Sequence, residues 1–157
     1  MDFAVFLSSS VVGGLVAGFV ALRNSERKIL IENVTKERAK WREKIRIKSN
    51  EVYKAAEADE SAKLLELRLE FSLNLNPFDN EDNAILGAIV NLKVSENREI
   101  KLAEFSERVA LLLKHDWERA KFEAKPWFFR CYPPKRTTFA EWLKLRSSGT
   151  DTIASAP

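Results

Sequence analysis

The feature that most constrains this chain is a stretch of twenty residues without a charge, from Phe3 to Leu22. Asp2 stands before it, and basic residues follow it from Arg23 onward. A helix of this length rises about 30 Å, at about 1.5 Å per residue, which matches the hydrocarbon core of a bilayer. The stretch therefore predicts one transmembrane helix near the N-terminus.

A cleaved signal peptide and a buried core helix are two other interpretations of this stretch. A cleaved signal peptide has a basic N-terminal region and an apolar run of about 7–15 residues. Here the preceding region holds Asp2 and no Lys or Arg, and the apolar run is longer. A core helix of a globular domain rarely continues for about 18 residues without a charge. Both alternatives fit less well than a membrane anchor.

The distribution of Lys and Arg predicts the direction of the span. None of these residues precedes it and many follow it, so the N-terminus is expected outside and the remainder in the cytoplasm. Within the span, Ser10, Gly14 and Gly18 recur at every fourth position. Small residues at this spacing let two helices approach closely in lipid, which makes these three candidates for self-association. The same spacing also arises by chance.

The roughly 135 residues after the span suffice for one domain with a core. Only Gly87 and Gly149 follow Gly18, and this scarcity favours helices over hairpins and phosphate-binding loops. Cys131 is the single cysteine, so an internal disulfide is excluded. The composition thus predicts an all-α fold, a transmembrane helix followed by a cytoplasmic helical bundle.

The first helix of the bundle is expected from near Thr35 to about Ala58. Its apolar stripe is narrow, and its other faces are strongly basic. A solvated helix face explains such a pattern, contact with anionic lipid headgroups is a second interpretation, and nucleic-acid binding is a weaker third. The candidates for membrane-surface or partner contact on this helix are Lys36, Arg38, Lys40, Arg42, Lys44, Arg46 and Lys48.

The run from Leu64 to Leu75 alternates like a strand, yet its leucines also suit a buried helix. We predict a helix that buries Leu64, Leu65, Leu67, Leu69 and Leu73, because leucine favours helix and no second alternating run exists to pair with a strand. Asn76-Pro77 is expected to end this helix.

Two further helices are predicted in the bundle. Asp79 or Asn80 can cap the first, Glu81 to Val94, which should bury Ile85, Ile89, Val90 and Leu92. A cation site at Asp79, Glu81 and Asp82 is disfavoured, because the glycine of a calcium loop is missing. The second helix, Arg98 to Ala124, is expected to end before Pro126 and carries an apolar seam: Leu102, Phe105, Val109, Leu112, Leu113, Trp117 and Ala120.

An aromatic-basic segment, Lys125 to Arg136, follows the bundle. It is either a connector that packs on the bundle or a surface that contacts lipid or a partner, with Trp127, Phe128, Phe129, Arg130 and Tyr132 as the candidate residues. Thr138-x-x-Glu141 is a capping box that opens a short helix. Residues 147–157 are small and polar, which predicts a disordered tail.

Catalysis is not expected. His115, Asp116 and Cys131 are the only candidates for a nucleophile with a base, and such a site needs hydrogen-bond contact that a sequence cannot demonstrate. One His and one Cys do not provide a typical zinc site. We therefore predict no enzymatic activity, no cofactor and no metal.

Three short segments resemble a family of small bacterial proteins that have one N-terminal transmembrane helix and a helical cytoplasmic module. They are Val34–Arg38 with Trp41-Arg42, Leu73–Pro77 with Asp79, and Lys114 with Trp117-Glu118-Arg119 and Lys121. Together they cover about residues 34 to 121, and Asp116 stands where the pattern has glutamate. The resemblance implies a membrane-tethered module in the bacterial inner membrane and no particular activity.

The sequence therefore predicts four parts: an anchor over 1–23, a bundle over 24–124, the aromatic-basic segment and short helix over 125–146, and the tail. The predicted function is a non-catalytic, membrane-anchored interaction module that self-associates or docks a protein partner. The alternatives are a membrane-permeabilising effector and a membrane tether for nucleic acid.

Overall fold

The computed structural model describes residues 3–94, 96–125 and 129–154; the side chains of residues 3–11, 27, 30, 31 and 149–154 lie outside this description. The described ranges contain five α-helices and no strand, which confirms the all-α prediction. The helices are α1 (Phe3–Glu57), α2 (Ser61–Ser72), α3 (Asn80–Asn91), α4 (Arg98–Ala124) and α5 (Phe139–Ala154).

The chain divides into two compact units, Met1–Ala39 and Lys40–Pro157, and α1 contributes to both. The boundary between the two units falls after Ala39, and the predicted end of the anchor, at residue 23, lies within the first unit. A separate helix beginning near Thr35 is not found, because α1 runs without interruption through this region. No Pro or Gly occurs between Gly18 and Glu57 to break it. The Lys36 Nζ–Glu32 Oε1 pair, 2.9 Å apart, bridges one turn across the expected junction.

Among the helices whose residues and side chains are described, none is long and apolar enough to cross a membrane. Part of the predicted span, residues 3–11 with Ser10, lies outside the described side chains. From Val12 to Leu22 the described apolar side chains are exposed.

The core of the second unit combines α2, α3 and α4 with the C-terminal part of α1. Phe71 of α2 and Phe105 of α4 meet edge to face, with ring centroids 5.9 Å apart. Around them lie the other fully buried large side chains, Ile45, Val52, Leu64, Leu67, Ile85, Ile89 and Leu92.

The leucine-rich run is a helix, as predicted, but its buried face differs. α2 ends at Ser72, before Leu75, and the Asn74 side-chain amide donates to the Glu70 carbonyl there. Leu64, Leu67 and Phe71 are buried. The expectation that Leu65, Leu69 and Leu73 are buried was wrong, because a single stripe on a helix of twelve residues already fills the available core.

The next two helices follow the sequence closely. The Asp79 side chain caps α3 by accepting from the N–H groups of Glu81 and Asp82, as predicted. Ile85, Ile89 and Leu92 are buried, but Val90 is exposed. α4 has the predicted limits and buries the first part of its seam, whereas Trp117 is exposed.

The capping box is also confirmed. The Thr138 N–H donates to Glu141 Oε2 at 2.9 Å, and the Glu141 N–H donates to Thr138 Oγ1 at 3.2 Å. α5 extends to Ala154, into the segment that the sequence assigned to a tail. The hydroxyls of Ser147 and Ser148 donate to carbonyls three residues earlier, so these polar residues are accommodated within the helix.

Candidate functional site

An aromatic residue and a basic residue near the start of the second unit, Trp41 and Arg42, join α1 to distant parts of the chain. The Trp41 indole Nε1–H donates to the Asn74 carbonyl at 3.0 Å. Arg42 Nη1 lies 2.7 Å from Asp116 Oδ2 on α4. Parts of all three segments that carry the family resemblance are therefore in contact in the structure.

Arg42 is 8% exposed and faces the bundle interior, so little of its side chain is accessible for the membrane-surface or partner contact that the sequence suggests. It lies three residues before the buried Ile45, on the inner side of α1. Its guanidinium carbon is 5.5 Å from the centroid of the Trp117 ring, and Lys121 lies 5.8 Å from the same ring. Arg42 therefore contributes to the packing of α1 against α4.

A second buried ion cluster joins the segment before α5 to the N-terminus of α3. Arg136 Nη1 lies 2.8 Å from Asp79 Oδ2 and 2.7 Å from Asp82 Oδ1. Asp82 is 4% exposed, and its other oxygen accepts the Asn76 N–H at 2.8 Å. From the sequence, Asp79 is a candidate cap and a cation site with Asp82 is disfavoured, but no pattern identifies Arg136 as the partner of these two carboxylates.

Two groups at or near this cluster have a lowered pKa. Burial alone would raise the pKa of the Asp79 carboxyl, but the N–H of Asp82 and the charge of Arg136 hold it below its ordinary range. The pKa of His115 is lowered by burial first and then by the charges of Arg136 and Arg119. His115 lies at a shallow recess with Leu111, Lys114, Glu118, Lys135 and Thr137.

The basic residues predicted on α1 do not form one uninterrupted positive surface. Lys36 pairs with Glu32, and Arg46 lies 3.5 Å from Glu43. Lys48 contacts Glu51 at 2.9 Å and Glu70 at 2.8 Å. The remaining residues of this set are Arg38, which is half-buried, and Lys40 and Lys44, which are exposed.

The aromatic-basic segment is described only in part, because Trp127 and Phe128 lie outside the described residues. Phe129 and Tyr132 are exposed. Arg130 donates to the carbonyls of Lys125 and Glu123, so its charge is directed at the C-terminal end of α4. Cys131 is exposed as a free thiol.

The candidate self-association residues lie in the first unit. Apart from its chain neighbours and the adjacent backbone of α1, a methyl group added at Gly14 or Gly18 would meet no described atom within 4 Å. The Ser10 side chain lies outside the described part.

In the described ranges, no group of three or more His, Cys, Asp or Glu side chains could hold a metal ion. The ion clusters instead link helices: Arg42 with Asp116 joins α1 to α4, and Arg136 with Asp82 joins the segment before α5 to α3.

Comparisons with protein-family models, curated proteins and solved structures found no significant match. The family resemblance therefore stays a prediction.

Proposed function

We propose that this protein is a non-catalytic helical interaction module anchored in the bacterial inner membrane. In this proposal residues 3–22 span the bilayer, and the bundle from Lys40 onward is presented at its cytoplasmic face. The observation that carries it is the uncharged twenty-residue stretch followed by basic residues.

The described end of this stretch supports the proposal. Val12, Leu15, Val16 and Phe19 are each more than half exposed although they are strongly apolar. At about 100° per residue these four side chains share one face, and the small uncharged residues Gly14, Ala17 and Ala21 lie on the opposite face. A helix that is apolar on all sides is suited to lipid.

The ion pairs made by the basic residues of α1 favour an interaction role over nucleic-acid binding. Lys36, Arg46 and Lys48 already pair with carboxylates, and Arg42 is buried with Asp116. Fewer basic side chains are then available to phosphates than the sequence suggests. Nucleic-acid binding depends on such phosphate contacts.

The test is membrane extraction of the full-length protein. We expect it to resist alkaline carbonate, to dissolve in detergent, and to float with liposomes after reconstitution. Val12→Arg combined with Val16→Arg should move it to the soluble fraction, because each charge at a helix centre disfavours insertion by about 3 kcal/mol.

Val94→Arg combined with Ile100→Arg is the matched control, since both positions are exposed in the bundle. This variant should remain in the membrane fraction. A reporter that functions only in the cytoplasm should be active when it is fused to the C-terminus, and a reporter that functions only outside the inner membrane should be inactive there. Recovery of the unmodified protein in the soluble fraction without detergent would refute the proposal.

A further inference from the structure

A second apolar stripe lies on α2, on the side away from the core. Leu65, Leu69 and Leu73 are 48%, 61% and 79% exposed. Their spacing of four residues places them on one face, and the αR backbone of Leu73 continues that face past the end of the helix. At about 100° per residue, this face is opposite the buried stripe of Leu64, Leu67 and Phe71. Exposed apolar surface of this kind marks interaction sites.

The charges beside the stripe indicate what covers it. Helix periodicity places Glu66 on one flank and Arg68 on the other. Glu66 is bound by Lys63 on its own flank, at 2.8 Å. Arg68 is exposed, and none of the ion pairs in the described ranges includes it.

In a parallel pair of helices the opposite flanks face each other across the apolar seam. Glu66 of one copy would then lie beside Arg68 of the other, and two-fold symmetry would repeat the contact. In an antiparallel pair like flanks meet, which would place carboxylate against carboxylate. The charges beside the stripe are therefore complementary between two copies only when the two α2 helices are parallel.

We propose that a second copy of this chain docks along Leu65, Leu69 and Leu73, with the two α2 helices parallel. Three leucines cover much less than the roughly 800 Å² per partner of a stable soluble interface. The contact is therefore weak between free molecules and forms when a shared membrane concentrates the copies. In this respect the inference rests on the proposed anchoring.

Disulfide trapping of the full-length protein in liposomes tests the pairing. In a Cys131→Ser background, Leu65→Cys, Leu69→Cys and Leu73→Cys are made singly and oxidised. Parallel pairing predicts that each variant cross-links to itself, because identical positions face each other. Ile100→Cys, on an exposed apolar position of α4, is the control and should stay monomeric.

An antiparallel pair would give efficient self-linking at Leu69 alone and would overturn the proposed geometry. Absence of cross-links at all three positions would overturn the proposal as a whole. In cells, an adduct of different mass would assign the stripe to another protein and would also overturn it.

Charge reversal tests the flanks on the Leu69→Cys background. Glu66→Arg and Arg68→Glu should each lower the cross-linked fraction several-fold, and the double variant E66R/R68E should restore it. Unchanged cross-linking in both single variants would refute the charge argument.

Flotation of the same samples separates the two proposals. Protein that floats without cross-linking refutes the pairing and leaves the anchoring intact. Protein that fails to float refutes the anchoring. In that case, cross-linking at high protein concentration in solution tests the pairing independently of the membrane.

Discussion

Two buried charged residues determine how the polar contacts of the bundle are arranged. Arg42 on α1 and Asp82 on α3 are each almost fully enclosed, and each has an oppositely charged partner within 2.7 Å. Removal of one partner from a buried pair costs about 3–5 kcal/mol, because the remaining charge is left unpaired. Each pair therefore stabilises the contact between the two segments that it joins.

His115 gives a prediction for pH dependence. Burial and the nearby Arg136 and Arg119 lower its pKa below the ordinary value of 6.5, against the weaker opposing effect of Asp79 and Asp116. A depressed pKa in the folded state means that the unfolded chain binds a proton more readily. The contribution to stability is thus complete above pH 6.5 and is lost as pH falls through the folded pKa.

This is checked by urea unfolding across mildly acidic pH and by NMR titration of the imidazole, whose signals are unambiguous in a chain with one histidine. His115→Gln should flatten the stability profile between pH 6.5 and the folded pKa. A measured pKa at or above 6.5 in the native protein would contradict the expectation.

At the scale of elements, α5 is held on the bundle largely by polar contacts. The Phe139 N–H donates to Glu81 at 3.2 Å, and Arg108 lies 4.1 Å from the centroid of the Phe139 ring. Arg146 pairs with Glu107 at 2.6 Å. Such contacts stabilise less than buried apolar area, so α5 is expected to open before the other helices of the bundle.

The cap of α5 can be tested by itself. Thr138→Ala removes the hydroxyl that accepts the Glu141 N–H and should destabilise this helix by about 1 kcal/mol. Amide hydrogen exchange should accelerate in α5 by about five-fold, while α3 and α4 keep their protection. Thr137→Ala is the neighbouring control, and an equal effect of both variants would contradict a specific cap.

The helix caps and most helix limits were predictable because they depend on residues close in sequence. Asp79, Thr138 and Glu141 act on N–H groups two or three residues away. The buried face of α2 was not predictable in the same way. Its leucines fit two opposite stripes. The stripe of Leu64, Leu67 and Phe71 is the buried one because it packs toward Phe105 across the core, a contact that the local sequence does not show.

At the scale of the whole molecule, the second unit contains the complete buried core from Ile45 to Leu112. A fragment of residues 40–157 is therefore expected to fold and to unfold cooperatively. A fragment of residues 43–157 lacks Trp41 and Arg42, so it loses the Trp41–Asn74 hydrogen bond and the Arg42–Asp116 ion pair. It should be less stable by about 3 kcal/mol or more.

Circular dichroism with urea unfolding compares the two fragments directly. Within fragment 40–157, Arg42→Met should reproduce most of this loss of stability. Lys44→Met, at an exposed position, should have little effect. Equal stability of the two fragments would show that the α1–α4 ion pair is dispensable.

The sequence by itself determined the helical class, the caps, and the uncharged stretch on which the proposed anchoring rests, because each depends on composition or on residues within one or two turns. Tertiary structure alone decided that Arg42 turns inward to Asp116 and that Arg136 joins Asp79 and Asp82. These partners are separated by more than fifty residues, and no local pattern records them. These residues pair because a buried charge without a partner is strongly destabilising. Which charges are buried is known only once the helices are packed.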